Sequence, residues 1–342
     1  MRNFKHLLSG LLAFASLTAL NSCMSTETLE PEIEKDTALV LNLKAPEEAK
    51  TRADDSHKLR FTAKLYKNSP INIQEKDLIR QEIIDGDLSG EGVANQIIFD
   101  VPNGLYTIFV YGDYIPKDAQ KNEKNFFDDY YYDTSKKDYV QIRTTPGKDD
   151  AVLSESFFNN DNYDFFYGIF TVEKTDLKVV KNMELKRAVA RISLVDIGTN
   201  TGKLDLSISK LDLYTWYVMA DGEGVGYAGT SREFTPNPNI NLSKDLLGNG
   251  EQELFYYYTF ASKDLTTKQT RALSLTAKAA NMEDKTFEIT GIAINQNYKT
   301  LVKGSFYPDK QGSAAPENGP IYLNISITDW LGELSSYWGV GN

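Results

Sequence analysis

Alternation of apolar and polar residues with a period of two is the feature that most constrains the fold of this chain. It is clearest at 321–328, where isoleucine or leucine occupies every second position. Because successive side chains of a β-strand point to opposite faces, such a segment buries one face of a sheet. Further strands are predicted at 37–44, 58–66, 96–101, 105–111, 204–216, 254–260, 273–279 and 286–294. Helical periodicity is weak, and only 78–84 and 263–269 are modest helix candidates, so the sequence predicts an all-β protein.

The segment 183–197 divides the chain into two halves. Met183 and Leu185 hold one phase of the alternation, whereas Ala188, Ala190, Ile192 and Leu194 hold the opposite phase, with Arg187, Val189, Arg191 and Ser193 on the other face. A slip of one residue would turn the core face toward water, so a bulge or a new strand is expected at 186–187. We interpret it as the first strand of a second domain, which predicts β-sandwich domains at 37–184 and 185–342. The aromatic segments 126–133 and 163–168 are predicted to be loops and short pieces that close a sheet.

The N-terminus has the pattern of an exported lipoprotein. Arg2 and Lys5 precede an apolar segment at 7–20, which is too short to span a bilayer and typical of a signal peptide. The segment ends in Leu20-Asn21-Ser22-Cys23, which predicts a signal peptide at 1–22, lipid attachment at Cys23 and a flexible acidic tether at 23–36. Cys23 is the only cysteine, so no intramolecular disulfide is expected. The alternative is a signal peptide without lipidation and an incidental cysteine.

Charge and residue usage argue against several classes of function. The net charge of -11 argues against a nucleic-acid partner, because phosphate binding needs a cationic surface. Beyond the signal peptide His57 is the only histidine, which argues against zinc sites and histidine-dependent catalysis. An enzyme would have to use carboxylates alone, as glycosidases do, so we predict no enzymatic activity and no cofactor. The glycine-rich segment 221–226 is interpreted as a hairpin loop, since no helix follows to complete a phosphate site.

One segment is a candidate for ligand contact. Tyr130, Tyr131 and Tyr132 are consecutive and lie among Asp128, Asp129 and Asp133. Tyrosine rings can stack on a sugar, and carboxylate oxygens can bind calcium, although the EF-hand spacing is absent. The alternative is that these aromatic residues cover a sheet. The segment is therefore a hypothesis for glycan binding and no more specific than that.

Four segments resemble the fimbrillin-type lipoproteins of the Bacteroidales, a family that includes fimbrial stalk, tip and anchor subunits. The segments are 106–114 (YTIFVYGDY), 131–134 (YYDT), 164–168 (DFFYG) and 185–192 (LKRAVARI). The resemblance implies two transthyretin-like β-sandwich domains in tandem. It also implies an outer-membrane location, lipid-anchored on the cell surface or in a fimbrium. The expected function is that of a fimbrial subunit or fimbrium-anchoring lipoprotein with a part in adhesion. The alternative is a glycan-binding surface lipoprotein.

The resemblance also implies assembly with other fimbrial subunits by β-strand exchange, with host or glycan receptors as further partners. An Arg-specific protease would cut at Arg52-Ala53, in the charged segment 45–55, and release the strand that carries Leu39, Leu41 and Leu43. A segment of a neighbouring subunit would then fill the groove, and 329–342 is the candidate donor. Arg60 is the second candidate for cleavage, although it lies inside the next predicted strand. The alternative for 37–44 is a permanent edge strand, as in an anchor subunit that is never cut.

Overall fold

The structure, a computed structural model, describes residues 38–46, 56–67, 78–84, 95–149, 152–220, 225–229, 231–262, 269–308, 323–329 and 334–340. In chain order the strands are β1 (Leu39–Lys44), β2 (His57–Lys67), β3 (Leu78–Ile84), β4 (Gln96–Phe99), β5 (Gly104–Pro116), β6 (Tyr132–Asp133), β7 (Tyr139–Ile142), β8 (Phe166–Lys174), β9 (Val179–Glu184), β10 (Lys186–Arg187), β11 (Val189–Asp196), β12 (Thr201–Tyr214), β13 (Trp216–Ala220), β14 (Val225–Ala228), β15 (Ser231–Phe234), β16 (Ile240–Leu247), β17 (Gln252–Phe260), β18 (Gln269–Lys278), β19 (Lys285–Ile294), β20 (Tyr298–Gly304), β21 (Leu323–Asp329) and β22 (Leu334–Val340). Short 3-10 turns lie at Glu155–Phe157 and Asp161–Tyr163. In these ranges no helix has the length and apolar character that crossing a bilayer requires. The all-β prediction is confirmed.

The first half of the chain forms a β-sandwich from two sheets. One has the strand order β4-β1-β9 and the other β10-β8-β5-β2-β3. Leu41 of β1, Phe61 of β2 and Val110 of β5 belong to the same buried apolar cluster. The strands alternate in sequence because their inner faces meet in that cluster.

The second half forms another pair of sheets, with orders β17-β11-β20-β21-β22 and β15-β12-β18-β19, and β16 also pairs with β12. The halves are joined by a further sheet, β14-β13-β7-β6, in which Tyr217 of β13 lies opposite Val140 of β7. The buried apolar cluster continues through both halves. The two predicted domains therefore share a sheet and a core, and the boundary at 185 stays a prediction.

Two expectations about local structure are wrong. The helix candidate 78–84 is strand β3, which pairs antiparallel with β2 from Leu78 opposite Tyr66 to Ile84 opposite Arg60. The segment 163–168 does more than close a sheet, because Phe166 begins β8, a strand of nine residues. Of the other helix candidate, 263–268 lies outside the described residues and Gln269 begins β18. The hairpin expected at 221–226 is present, since β13 and β14 pair antiparallel on either side of 221–224.

The break in alternation at 186–187 coincides with a change of sheet. β9 ends at Glu184, β10 pairs back with β8, and β11 then lies between β17 and β20. Both faces of this segment are buried, since Arg187, Val189 and Ser193 are as inaccessible as the alanines. A strand with neighbours on both edges and structure over both faces has no face left for solvent.

Candidate functional site

Strand β1, the predicted removable strand, lies in the middle of its sheet. It pairs antiparallel with β4, where Leu39 faces Phe99, and parallel with β9, where Leu39 faces Val179 and Lys44 faces Glu184. Leu39 and Leu41 are 0% exposed and Leu43 is 6% exposed. The alternative of an edge strand is wrong, because β1 has a hydrogen-bonded neighbour on each side.

Polar contacts hold both ends and the outer face of β1. The Ala38 carbonyl accepts from Val179 N (3.0 Å), and the Lys44 carbonyl accepts from Leu185 N (2.8 Å). On the outer face, Asn42 Nδ2 donates to Asn182 Oδ1 (2.7 Å) and Asn42 Oδ1 accepts from Gln96 Nε2 (2.9 Å). The three amide side chains form a ladder across β4, β1 and β9. Loss of β1 would therefore leave a groove with apolar walls and unpaired backbone groups on both sides.

The predicted lipid-attachment and processing residues, Cys23, Arg52 and Ala53, lie outside the described residues, so those predictions stay predictions. Arg60, the second candidate for cleavage, is described and is 0% exposed. Its guanidinium donates to Asp113 through Nε (2.9 Å to Oδ1) and Nη2 (2.6 Å to Oδ2). A protease cannot reach a peptide bond in the centre of β2 at this burial without unfolding the sheet.

Arg60 is the centre of a buried charged cluster that sequence reasoning missed. Beyond Asp113 it contacts Asp129 (3.0 Å) and Glu82 (3.5 Å). Burial alone would lower the pKa of Arg60, but these carboxylates raise it above its ordinary value. Burial raises the pKa of Asp113 although Arg60 opposes the change. Burial also tends to raise the pKa of Asp129, but the charge of Arg60 and two hydrogen bonds from Thr134 outweigh it, and the pKa of Asp129 is lowered.

The cluster fixes the segment between β5 and β7 to the outside of the sheet. Phe127 N donates to Glu82 Oε2 (2.8 Å), and the Phe127 carbonyl accepts from Arg60 Nη1 (3.1 Å). The carboxylates already accept from Arg60, from backbone N–H groups, from two threonine hydroxyls and, at Glu82, from Arg80 as well. In the described part of the chain no group of three histidine, cysteine or acidic residues is placed to hold a metal ion. We interpret the cluster as an anchor for this segment.

Lys64 extends the same anchor. It is 1% exposed, and its Nζ donates to the carbonyls of Lys136 (2.8 Å) and Thr134. Burial, and then the nearby positive charge of Arg80, lowers the pKa of Lys64 to about 7. Arg60 and Lys64 lie on the face of β2 that alternation assigns to solvent. No local signal in the sequence marks these two residues as buried, because the segment that covers them is distant in the chain.

The tyrosine segment is mostly interior. Tyr131 is 3% exposed and its hydroxyl lies 2.8 Å from His57 Nε2, while its ring packs edge-on against Tyr163. Tyr132 is fully buried, donates to the Tyr163 carbonyl and packs on Phe165. Neither ring has a face available for a sugar, so the structure contradicts ligand stacking at Tyr131 and Tyr132. Tyr130 is half-buried, and a ligand contact there stays a prediction.

A second buried ion pair lies where the halves meet. Arg187 donates to both oxygens of Asp164 (2.6 and 2.8 Å), and its Nη1 donates to Asn297 Oδ1 (2.8 Å). The Arg187 carbonyl accepts from Gln296 Nε2 (2.8 Å). One side chain therefore holds a residue of the first half and a residue of the second, which its position in the alternation did not reveal.

Part of the predicted donor segment, 329–342, is already paired in its own chain. Leu334–Val340 forms β22, which pairs antiparallel with β21, with Val340 opposite Leu323. Residues 330–333 and 341–342 lie outside the described residues. β22 ends its sheet, so a donor role would require it to leave β21.

Several solved structures are similar to this chain. Polysaccharide-binding proteins (DUF1812) of Bacteroides thetaiotaomicron match with 11% identity and a TM-score of 0.48, over 90% of this chain and 99% of theirs. An adhesin of the same organism matches with 12% identity and a TM-score of 0.41, over 86% and 97%. The fimbrial anchor protein Mfa2 of Porphyromonas gingivalis matches with 13% identity and a TM-score of 0.43, over 88% and 99%. Likeness at this level assigns no function to this chain.

The sequence comparisons place the chain more directly. No curated protein matches it significantly. One family model matches residues 30–315, which is well over half of the chain. The chain therefore belongs to DUF6562, a family of unknown function.

Proposed function

We propose that the protein is a cell-surface fimbrial subunit or fimbrium-anchoring lipoprotein, which joins other fimbrial subunits by β-strand exchange and takes part in adhesion. In this proposal residues 1–22 are the signal peptide, and Cys23 carries the lipid that holds the chain on the outer membrane. Residues 23–36 are the tether, and 37–184 and 185–342 are the two sandwich domains. Host proteins or glycans are the further partners, and no catalysis is involved.

The observation that carries the proposal is the position of β1. It is a single central strand, buried through Leu39, Leu41 and Leu43, and the segment that follows it contains Arg52. Burial of each leucine contributes about 1.5–3 kcal/mol, and each strand hydrogen bond about 0.5–1.5 kcal/mol. Removal of β1 would take these contributions away and leave an empty groove. An extended segment that restores the leucine contacts and the strand hydrogen bonds would bind there, which is the physical basis of β-augmentation.

Limited digestion with an Arg-specific protease tests strand exchange. We expect the folded protein to be cut first after Arg52 and the cut chains to form multimers that survive mild detergent on gels. Arg52→Lys is the matched control, since it keeps the charge and removes the protease site. Cutting elsewhere while Arg52-Ala53 survives would refute a removable β1, and cut chains that remain monomeric would refute exchange.

Metabolic labelling with palmitate tests the anchor separately. We expect label in the wild-type protein and none in Cys23→Ala, with the variant released from the membrane fraction. Equal labelling of both proteins would contradict lipid attachment at Cys23, and it would leave the strand-exchange result unaffected.

A further inference from the structure

A groove runs along the open side of the first sandwich, between β8 and β9. It has a volume of about 490 Å³ and is lined by residues 167–171 of β8, by 181–184 of β9 and by Lys186. Consecutive residues line it, whereas a pocket on the face of a sheet would be lined by alternate ones. The groove therefore follows the edges of two strands, where backbone groups are accessible.

Both edges lack a partner over most of their length in the described part of the chain. β8 pairs with β5 on one side, and on the other β10 covers only Phe166 and Tyr167. β9 pairs with β1 on one side alone. The floor is apolar, since Ile169, Phe170 and Met183 are half-buried and pack on the core. Unpaired strand edges beside an apolar floor suit an extended peptide with apolar residues at every second position.

A segment of this chain has that pattern. In Leu29-Glu-Pro-Glu-Ile-Glu34, Leu29, Pro31 and Ile33 share one face and the three glutamates share the other. These residues lie outside the described ranges. Proline is tolerated in a strand where its missing N–H is not needed by a neighbour, so Pro31 is compatible with a strand that pairs on one edge.

The segment can reach the groove, because it leads directly into β1. Leu39 lies beside Val179, at the start of β9. The far edge of β9 is two inter-strand spacings from β1, about 10 Å, and the four steps from Glu34 to Ala38 span about 13 Å when extended. On the way lies Val180, an apolar side chain that is 48% exposed. A peptide passing over the outer face of β9 would cover it.

The charge around the groove also favours the acidic segment 29–34 as its occupant. The chain has a net charge of -11, yet the rim of the groove carries Lys181 and Lys186 against one acid, Glu184. Lys181 lies opposite Leu41, which is fully buried, but its own side chain is exposed because the sandwich is open beside it. A peptide with three glutamates on one face complements this rim, and lysine stems are long enough to reach it.

We propose that residues 29–34 of the same chain dock in the β8–β9 groove, antiparallel to β9, so that the N-terminal segment holds β9 from the side opposite β1. The assignment does not depend on strand exchange or on lipid attachment. It replaces a free tether at 29–34 with a docked strand.

Carbodiimide coupling of the purified protein tests the contact, because it joins only carboxylates and amines that touch. We expect amide links from Glu30, Glu32 or Glu34 to Lys181 or Lys186, identified by mass spectrometry. Lys124 and Lys148 are exposed lysines away from the groove and serve as internal controls. A mixture of 15N-labelled and unlabelled protein separates links within one chain from links between copies.

Hydrogen exchange tests the pairing. We expect the amides of 168–171 and 181–184 to exchange about tenfold faster in the double variant Leu29→Asp and Ile33→Asp. Ser25→Asp with Thr26→Asp adds the same charge upstream and should change nothing. The proposal would be overturned if links formed as often at Lys124 and Lys148 as at Lys181 and Lys186. It would also be overturned if these amides exchanged at the same rate in the wild type and in both double variants. Links between labelled and unlabelled chains would assign the groove to a second copy and overturn docking within one chain.

Discussion

Replacing Arg187 by methionine should destabilise the protein far more than the same replacement at Arg191. The two arginines are four residues apart, and each faces a carboxylate at short distance, Asp164 at 2.6 Å and Glu253 at 2.8 Å. Their surroundings differ. The Arg187–Asp164 side chains are 0% exposed, whereas those of Arg191 and Glu253 are 13% and 39% exposed.

The expected magnitudes follow from that difference. Arg187→Met leaves the Asp164 carboxylate buried without its partner, which costs about 3–5 kcal/mol, and the lost bond to Asn297 adds about 1 kcal/mol. Arg191→Met removes a partly exposed ion pair, which contributes about 0.2–1 kcal/mol. It also removes the stacking of Arg191 on Tyr256 at 3.7 Å, which adds about 0.5–1 kcal/mol.

Urea unfolding at neutral pH, followed by circular dichroism, measures both variants. The double variant Arg187→Met with Asp164→Leu should recover about 2 kcal/mol or more relative to Arg187→Met alone, because apolar residues of similar volume often replace a buried pair without loss. If the Arg187 and Arg191 variants lost the same free energy, or if the double variant recovered nothing, the argument from burial would be refuted.

Three further predictions use the same unfolding assay. Leu41→Asp places a carboxylate in the core under β1 and should lower the free energy of unfolding by more than about 3 kcal/mol. The same replacement at Leu177, which is 74% exposed, should change the free energy of unfolding little. Lys64 has a pKa of about 7 in the folded protein against an ordinary value of 10.5. Between pH 7 and pH 10.5 the Lys64 side chain is therefore more protonated in the unfolded chain than in the folded protein. Stability of the wild type should therefore rise from pH 7 to 10 relative to Lys64→Met, by up to about 1.4 kcal/mol per pH unit, and parallel pH profiles would contradict the burial of an uncharged lysine. Gly168→Val should cost about 1–3 kcal/mol because its Cβ would collide with Met183 Sδ, and Met183→Ala in the same chain should relieve part of that loss.

Alternation was sufficient to locate strands but not to say how many faces each one buries. In β2 it identified Leu59, Phe61, Ala63 and Leu65 as the core face, and these residues are buried. Arg60 and Lys64 lie on the opposite face of the same strand, and both are covered by the segment between β5 and β7. A polar residue on a strand is predicted to be exposed unless the segment that covers it is known. The segment that covers Lys64 lies some 70 residues away in the chain.

Short segments and distant pairings were the other limits. Leu78–Ile84 has apolar residues at both ends, a pattern that seven residues cannot assign to a helix or a strand. Its neighbour β2 decides the matter, because β3 completes the edge of that sheet. The sheet shared by the two halves depends on β7 meeting β13, and nothing local in either segment specifies that partner.

The junction between the halves also limits what could replace β1. The Lys44 carbonyl, at the end of β1, accepts from Leu185 N, and Leu185 is buried two residues before Arg187. A donor strand that replaced β1 would have to present a carbonyl at that position, since a buried N–H without a partner costs about 1–3 kcal/mol. It would also have to run parallel to β9, because only that direction reproduces the register from Leu39 to Lys44. A segment that filled only the leucine positions would leave Leu185 unpaired beside the Arg187–Asp164 pair. Strand exchange, if β1 is removable, would therefore require a donor that matches β1 along its full length, and a shorter donor would weaken the contact between the two halves.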